Sequence, residues 1–279
     1  MVRSIGKVRA QSRKGNKQED IMTQYEAIFQ RTSVRHFQMR AIEPKIMEQI
    51  NSFIQSVSPL HPEALYRVAV VEAGKSADGK KRKHLQVEAP YYLVISVKDH
   101  PFAEKNAGFV MEQIVLYLTS KGLGTCYLDA AGTQKTMDSY RPLLLVAFGC
   151  PAVSGAPVHR RRKPLSELAR YKEEIPAGVA QILEAGRVAP SAFNRQPWRF
   201  VVYANRIHIF MKKPVISTAH GRQLEEIGMG IVMTHMALAA EEQWMNWKLS
   251  PIGDVAEREL KGYAYAATLQ LSSQEFPQS

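Results

Sequence analysis

Apolar residues along this chain follow two spacings, one typical of helices and the other of buried strands. Residues 43–57 carry Ile46, Ile50 and Phe53 at helical spacing, which predicts a helix with one buried face. Residues 66–71 and 91–97 are short runs rich in Val, Ile and Tyr, as buried strands are. The same patterns predict further helices over 21–30, 104–121 and 177–188, and further strands over 125–128, 143–148 and 200–203. The chain is therefore predicted to interleave helices with short buried strands.

Composition limits the class of protein. With 279 residues, 45% hydrophobic and 23% charged, the chain has room for one large domain or two small ones. No apolar run reaches the roughly 20 residues of a membrane helix, and the basic N-terminus has no apolar core like that of a secretory signal. Cys126 and Cys150 lie in apolar stretches and are interpreted as buried thiols in a reducing compartment. We predict a cytoplasmic protein.

Positive charge is unevenly distributed. The net charge is +11, and residues 1–20 contribute +4 of it, which predicts a disordered basic leader. Two further basic clusters lie at 80–83 and 160–163. A basic chain can bind nucleic acid, but these clusters have no interleaved aromatic residues and match no recognition motif, so nucleic acid is not the favoured partner. The histidines are scattered without the spacing of a helical zinc site, so no metal is predicted.

The stretch 189–199 is a turn of restricted shape. Pro190 and Pro197 flank Ser191 and Asn194 between a predicted helix and a predicted strand. Such a turn offers fixed backbone N–H groups, a hydroxyl and an amide to a flat polar ligand. An ordinary connecting loop is the alternative interpretation.

A second candidate is the segment 31–35. It places Arg31, Ser33 and Arg35 at alternate positions. Two guanidinium forks and a hydroxyl supply many hydrogen-bond donors in little space, so the segment could hold a phosphate. A solvated basic turn would show the same residues.

Four segments together resemble the nitroreductase superfamily. Residues 189–199 resemble its (A)PS-x-x-N-x-QPW signature, and residues 31–35 resemble the R-x-S-x-R that opens its chains. The runs at 122–130 and 147–151 resemble its GLG and GYP segments. Members of this superfamily are FMN-binding, NAD(P)H-using oxidoreductases. The resemblance implies a three-layer α+β (αβα) fold with mainly antiparallel sheets flanked by helices.

The resemblance also implies which residues bind one FMN. The phosphate and the pyrimidine side would be held by Arg31, Thr32, Ser33 and Arg35, and one of Arg161, Arg162 and Lys163 would complete the anion site. The ring and ribityl chain would be covered by Pro190, Ser191, Ala192 and Asn194. Flavin N5 would be faced by the backbone at Leu128, Asp129 and Ala130. No catalytic side chain is implied. NADH or NADPH would reduce the flavin, and a nitroaromatic, a quinone or a free flavin would accept the electrons with ping-pong kinetics.

The two halves of the chain show a faint internal repeat. An offset of 132 aligns Pro44 with Pro176 and Ile50 with Ile182, and an offset of 122 aligns residues 108–111 with 230–233. Chance similarity is the alternative, because identities are few. The predicted organisation is a leader over 1–20, a first half over 21–170 and a second half over 171–279.

Each half lacks one of the two flavin motifs. The second half has Lys163, Leu165 and Glu167 where the first has Arg31, Ser33 and Arg35, and the first half lacks the Pro-Ser and Asn of the second. Ordinary nitroreductases are homodimers whose sites combine both motifs. The chain resembles such a dimer fused into one polypeptide, which implies one FMN per chain and function as a monomer, with further oligomerisation left open.

Two other classes of function are compatible with the residues. One is a flavin-binding carrier or sensor that does not turn over. The other is a basic nucleic-acid-binding protein whose flavin site has decayed.

Overall fold

The structure is a computed structural model that describes residues 22–73, 87–129, 138–153, 161–213, 218–250 and 260–273. The chain divides into two compact units, Arg3–Arg160 (unit 1) and Arg161–Ser279 (unit 2). The predicted leader, the basic cluster at 80–83 and Ala130 lie outside the described residues. Within the described ranges, no helix has the length and apolar character that crossing a bilayer requires.

Unit 1 is built on a four-stranded antiparallel sheet. Its elements are α1 (Gln24–Gln30), α2 (Pro44–Ser56), β1 (Tyr66–Glu72), β2 (Tyr91–Val97), α3 (Ala103–Ser120), β3 (Gly124–Asp129) and β4 (Arg141–Gly149). The strand order is β1-β2-β4-β3, with α3 connecting the second strand to the third. The inner strands β2 and β4 are almost wholly buried, as their continuous apolar sequences predict.

Local sequence explains where the first helix and the core helix of unit 1 lie. Thr23 and Glu26 form a capping box that begins α1, because each side chain accepts a hydrogen bond from the other residue's backbone N–H. Gln24 at the start of α1 donates to the backbone oxygen of Gln113 in α3, at 2.9 Å. The helix α3 is buried along most of its length, so it forms the centre of the unit against which α1 is fixed.

Unit 2 has a five-stranded sheet. Its elements are α4 (Leu165–Leu168), β5 (Ala169–Tyr171), α5 (Ala177–Arg187), β6 (Trp198–Val202), β7 (Arg206–Lys212), α6 (Ala219–Glu242), β8 (Met245–Ser250) and β9 (Tyr263–Ser273). The strand order is β5-β6-β7-β9-β8, in which β5 is parallel to β6 and the other pairs are antiparallel. A short 3-10 turn, Ala192–Asn194, lies between α5 and β6.

The predicted α+β class, with mainly antiparallel sheets and flanking helices, is confirmed. The sequence pattern predicted no range for α4, β5, β7, α6, β8 or β9. Residues 161–171 lie in unit 2, where β5 pairs with β6.

The two sheets share one strand order. Leaving β5 aside, β6-β7-β9-β8 repeats β1-β2-β4-β3, and each sheet has a long helix between its second and third strands in sequence. Tyr66 and Trp198, which the offset of 132 aligns, begin β1 and β6. Pro44 begins α2, and Pro176 is the N-cap of α5. The element order therefore supports the internal repeat.

Candidate functional site

In unit 1 the segment 31–38 is fixed on both sides by backbone hydrogen bonds. The Val34 N–H donates to the oxygen of Thr125, at 2.9 Å. The Gln38 N–H donates to the oxygen of Cys150, and the Ala152 N–H donates to the oxygen of His36, each at 2.9 Å. The R-x-S-x-R segment thus lies against the residues that follow the GLG and GCP sequences, so three predicted motifs meet in one unit.

Glycine is required at two positions of these motifs, of which Gly124 faces the segment 31–38 and Gly149 faces Pro90. A Cβ on Gly124 would lie 2.8 Å from Cγ2 of Val34, and a Cβ on Gly149 would lie 2.6 Å from Cγ of Pro90. Both distances are shorter than real Cβ contacts, so any other residue would displace the neighbour. The glycines in these motifs therefore have a packing reason to be there.

Arg31 has a guanidinium nitrogen that lacks a hydrogen-bond partner. The residue is 9% exposed, and its Nη1 is buried with no partner among the described residues. Leaving a charged donor buried and unpaired costs more than an ordinary lost hydrogen bond. An anionic ligand that reached this guanidinium would remove that cost, so Arg31 fits the phosphate-binding role that the resemblance implies.

The hydroxyl of Tyr127 is affected by the charges of both a buried acidic side chain and Arg31. Glu112 in α3 is fully buried and accepts a hydrogen bond from the Tyr127 hydroxyl of β3. Burial raises the pKa of Tyr127 well above its usual value, the charge of Glu112 raises it further, and the charge of Arg31 opposes both. Tyr127 therefore stays protonated and holds the buried carboxylate.

The other predicted residues of unit 1 are more open. Thr32 and Ser33 are half-buried and Arg35 is exposed. Leu128 packs on a buried cluster that includes Phe37, and Asp129 ends β3 as an exposed residue.

In unit 2 the signature loop, residues 188–197, has an unusual backbone. Phe193, Asn194 and Gln196 have φ of 51°, 56° and 49°, in the left-handed region. Asn adopts this region more readily than most residues, whereas a bulky residue such as Phe does so at a cost. Phe193 is also 82% exposed, so packing does not hold it there.

Side-chain amides organise this loop and join it to the basic run 161–163. The Gln196 N–H donates to Ser191 Oγ at 2.9 Å, and Gln196 Oε1 accepts from the Lys163 N–H at 2.8 Å. Asn194 Nδ2 donates to the Arg161 oxygen at 2.9 Å, and Asn194 Oδ1 accepts from Arg162 Nη1 at 2.6 Å. Two groups of residues predicted for the site are therefore neighbours within unit 2.

The loop also borders a cavity of about 130 Å³ at the start of α6. Ser191, Ala192 and Phe193 form one side, and residues of the first turns of α6 form the other. Arg195 lies 3.7 Å from Glu225 across this cavity. A small polar group could enter it beside the signature residues.

Lys163 lies in an excess of positive charge. Burial lowers the pKa of its ammonium, and the charges of Arg199 and Lys212 lower it further, while Glu167 acts in the opposite direction. A cation disfavoured in this way gains from a nearby anion, which suits a role in binding phosphate.

Comparisons with known proteins agree with the fold and the motifs. A protein of Thermotoga maritima MSB8 described as a "putative nitroreductase" superposes with a TM-score of 0.63 and 22% identity, over 94% of this chain and 98% of that one. A nitroreductase with bound FMN from Bacteroides fragilis NCTC 9343 matches with a TM-score of 0.41 and 18% identity, over 50% of this chain and 94% of that one. No curated protein matched the chain.

Fold and motifs together define an oxidoreductase of the nitroreductase type. The family model described as "Putative TM nitroreductase" matches residues 23–240, and the chain belongs to that family.

Sequence reasoning missed three residues near these motifs. Glu112 is buried in α3 together with the polar residues Asn106 and Gln113, so its polar character alone gave no distinctive signal. Tyr127 looked like an ordinary strand residue. Gln196 belongs to the signature, but its contacts with Lys163 and Ser191 depend on the folded loop.

Proposed function

We propose that this chain is an FMN-dependent nitroreductase that takes electrons from NADH or NADPH and passes them to a small acceptor. The observation that carries the proposal is the buried Nη1 of Arg31, which has no partner in the described parts of the chain and lies in a segment fixed between two family motifs. Membership of the family supplies the reaction class. The acceptor would be a nitroaromatic, a quinone or a free flavin.

The chain's own residues would bind and orient FMN. Arg31, Ser33 and Arg35 would hold the phosphate and the pyrimidine side, because they offer charged and neutral donors on one short segment. Lys163 would add charge to the anion site. The loop around Ser191 would cover the ring.

When bound, FMN would supply hydride transfer, and the protein would supply position and electrostatics. Backbone N–H groups after Leu128 and near Asp129 would face flavin N5, where a donor stabilises developing negative charge. Nucleotide and acceptor would use the same position in turn, which gives ping-pong kinetics. We propose one FMN per chain and a chain that acts as a monomer.

The identity and amount of bound chromophore test this function. Purified protein should be yellow, should contain FMN in a ratio near one per chain, should bleach with NADH or NADPH and should recolour when an acceptor is added. Yellow protein that neither nucleotide bleaches would indicate a carrier or sensor. Colourless protein with duplex-DNA affinity that falls steeply with salt would indicate a nucleic-acid-binding protein.

A substitution at Arg31 tests the binding site directly. Arg31→Ala should weaken FMN binding by about tenfold or more, because a hydrogen bond to a charged group contributes roughly 1.5–3 kcal/mol. Arg67→Ala is the matched control, since it removes an exposed arginine of the same unit that pairs with exposed Asp138. Fluorescence titration of FMN measures both. Equal affinities of the two variants would exclude Arg31 from the site.

A further inference from the structure

The sequence alone does not distinguish which of three neighbouring cations would bind a phosphate: Arg161, Arg162 or Lys163. Their surroundings differ. Arg161 is exposed, whereas Arg162 and Lys163 are half-buried. The difference in burial is the first sign that the three side chains have different roles.

Arg162 points at the signature loop. Its Nε donates to the Val188 oxygen at 3.2 Å, and its Nη1 donates to Asn194 Oδ1 at 2.6 Å. Val188 lies at the start of the loop and Asn194 near its middle, so one rigid guanidinium joins the two. We propose that Arg162 is a positioning residue that holds the loop 188–197 in its binding shape, and that its role is not to bind the phosphate of the cofactor.

The loop needs such a restraint because its backbone is unfavourable. The left-handed backbone is unfavourable at Phe193 and Gln196 and less so at Asn194, because Asn tolerates this region better than most residues. Phe193 is exposed and is not held by a buried contact. Hydrogen bonds to the loop must therefore offset the cost, and the bond from Arg162 to Asn194 is charge-assisted.

The neighbours of Arg162 contribute through their backbones. Arg161 offers its carbonyl oxygen to Asn194 Nδ2, and Lys163 offers its N–H to Gln196 Oε1. Removing either side chain leaves these hydrogen bonds available. Arg161→Ala is therefore the matched control for the shape of the loop.

The inference also changes the role expected for Asn194. Its Oδ1 accepts from Arg162 and, at 3.3 Å, from Gln196 Nε2, while its Nδ2 donates to Arg161. The amide thus turns toward the basic run and works with Arg162. The groups left to meet a ligand are those of Ser191, Ala192 and Phe193, which border the cavity.

The first test compares the binding of FMN with that of riboflavin, which lacks the phosphate. This test rests on the proposed function. Arg162→Ala should weaken the binding of FMN and of riboflavin by the same factor, about tenfold or more, because the whole loop loses its restraint. Arg162→Lys should not restore binding, because an ammonium cannot make the two directed bonds of the fork. A loss confined to FMN, or full rescue by lysine, would mean that Arg162 binds phosphate and would overturn the proposal.

The second test needs no flavin. In the flavin-free full-length chain, chymotrypsin should cleave after Phe193 at least several-fold faster in Arg162→Ala than in the wild type. Arg161→Ala should match the wild type, and Asn194→Ala should add little to Arg162→Ala in the double variant. If Arg162→Ala were cleaved at the same rate as the wild type, the inference would be overturned. If the wild type bound neither flavin, the proposed function would fail while this result would still decide the role of Arg162.

Discussion

Units 1 and 2 repeat one strand order and differ in what is attached to it. In unit 1 the specialised part is the segment 31–38, which lies flat between two glycine-containing motifs. In unit 2 it is the loop 188–197, which leads from α5 into β6 with a strained backbone and is held by side-chain amides. The comparison shows that a repeated scaffold can carry two different local structures when the changes are confined to its connections.

The helices that precede the two sheets also differ. In α2 only Ile50 is fully buried, whereas α5 buries Val179, Ile182 and Leu183 completely. Ile50 and Ile182 occupy the same repeat position, but Leu183 corresponds to the exposed Asn51. The repeat therefore conserves the central contact of this helix and changes the width of its buried face.

The largest predicted effect is on the free energy of unfolding, and it tests the difference between the buried faces of α2 and α5. Leu183→Ala should lower the free energy of unfolding by about 2–5 kcal/mol, because it removes buried methyl groups and leaves a cavity. Asn51→Ala, at the equivalent position in unit 1, should change it by less than about 0.5 kcal/mol. Urea unfolding followed by circular dichroism measures both. Similar losses at the two positions would contradict the difference in burial.

A smaller effect tests the close approach in unit 1. Gly124→Ala should destabilise the protein by about 1–3 kcal/mol, because its Cβ would collide with Val34. The same variant should bind FMN less tightly, since the segment 31–38 must shift. Gly228→Ala in α6 is the control, because there the nearest neighbour of a new Cβ is 3.9 Å away. Thermal unfolding that ranks the two variants the other way would refute the packing argument.

The smallest effect concerns the ammonium of Lys163. A bound phosphate would favour the charged form and raise the lowered pKa of Lys163, so FMN affinity should fall at alkaline pH, where the ammonium of the free protein loses its proton. Lys163→Gln should bind more weakly at neutral pH and lose that alkaline decline. Titrations of both proteins across this range measure it, and an unchanged slope in the variant would place Lys163 outside the site.

Periodicity predicted a range for every helix and strand of unit 1 and for α5 and β6 of unit 2, whereas it predicted none for β7, α6, β8 and β9. The strand over 91–97 and the helix over 43–57 agree with β2 and α2, because long apolar patterns reflect burial directly. The exposed, three-residue strand β5 escaped prediction because it is too short to show a pattern, and its pairing with β6 is a tertiary contact.

The candidate site was less accessible to sequence reasoning. The motif resemblance indicated Arg31 and Ser191, but nothing local shows that Phe193 adopts a left-handed backbone, since Phe rarely does. Which of the three adjacent cations restrains the loop depends on the direction of the Asn194 side-chain amide. That direction is set by hydrogen bonds to residues about thirty positions away in sequence. Orientation of this kind exists only in the folded chain.

The start of unit 2 has a practical consequence for dissecting the molecule. Arg162 and β5 come directly after the boundary at 160/161, so a fragment that begins at residue 171 would lack both the guanidinium that binds Asn194 and the edge strand beside β6. A fragment that begins at 161 would keep them. Any attempt to express this half alone, or to exchange it with a relative, should therefore cut ahead of the basic run.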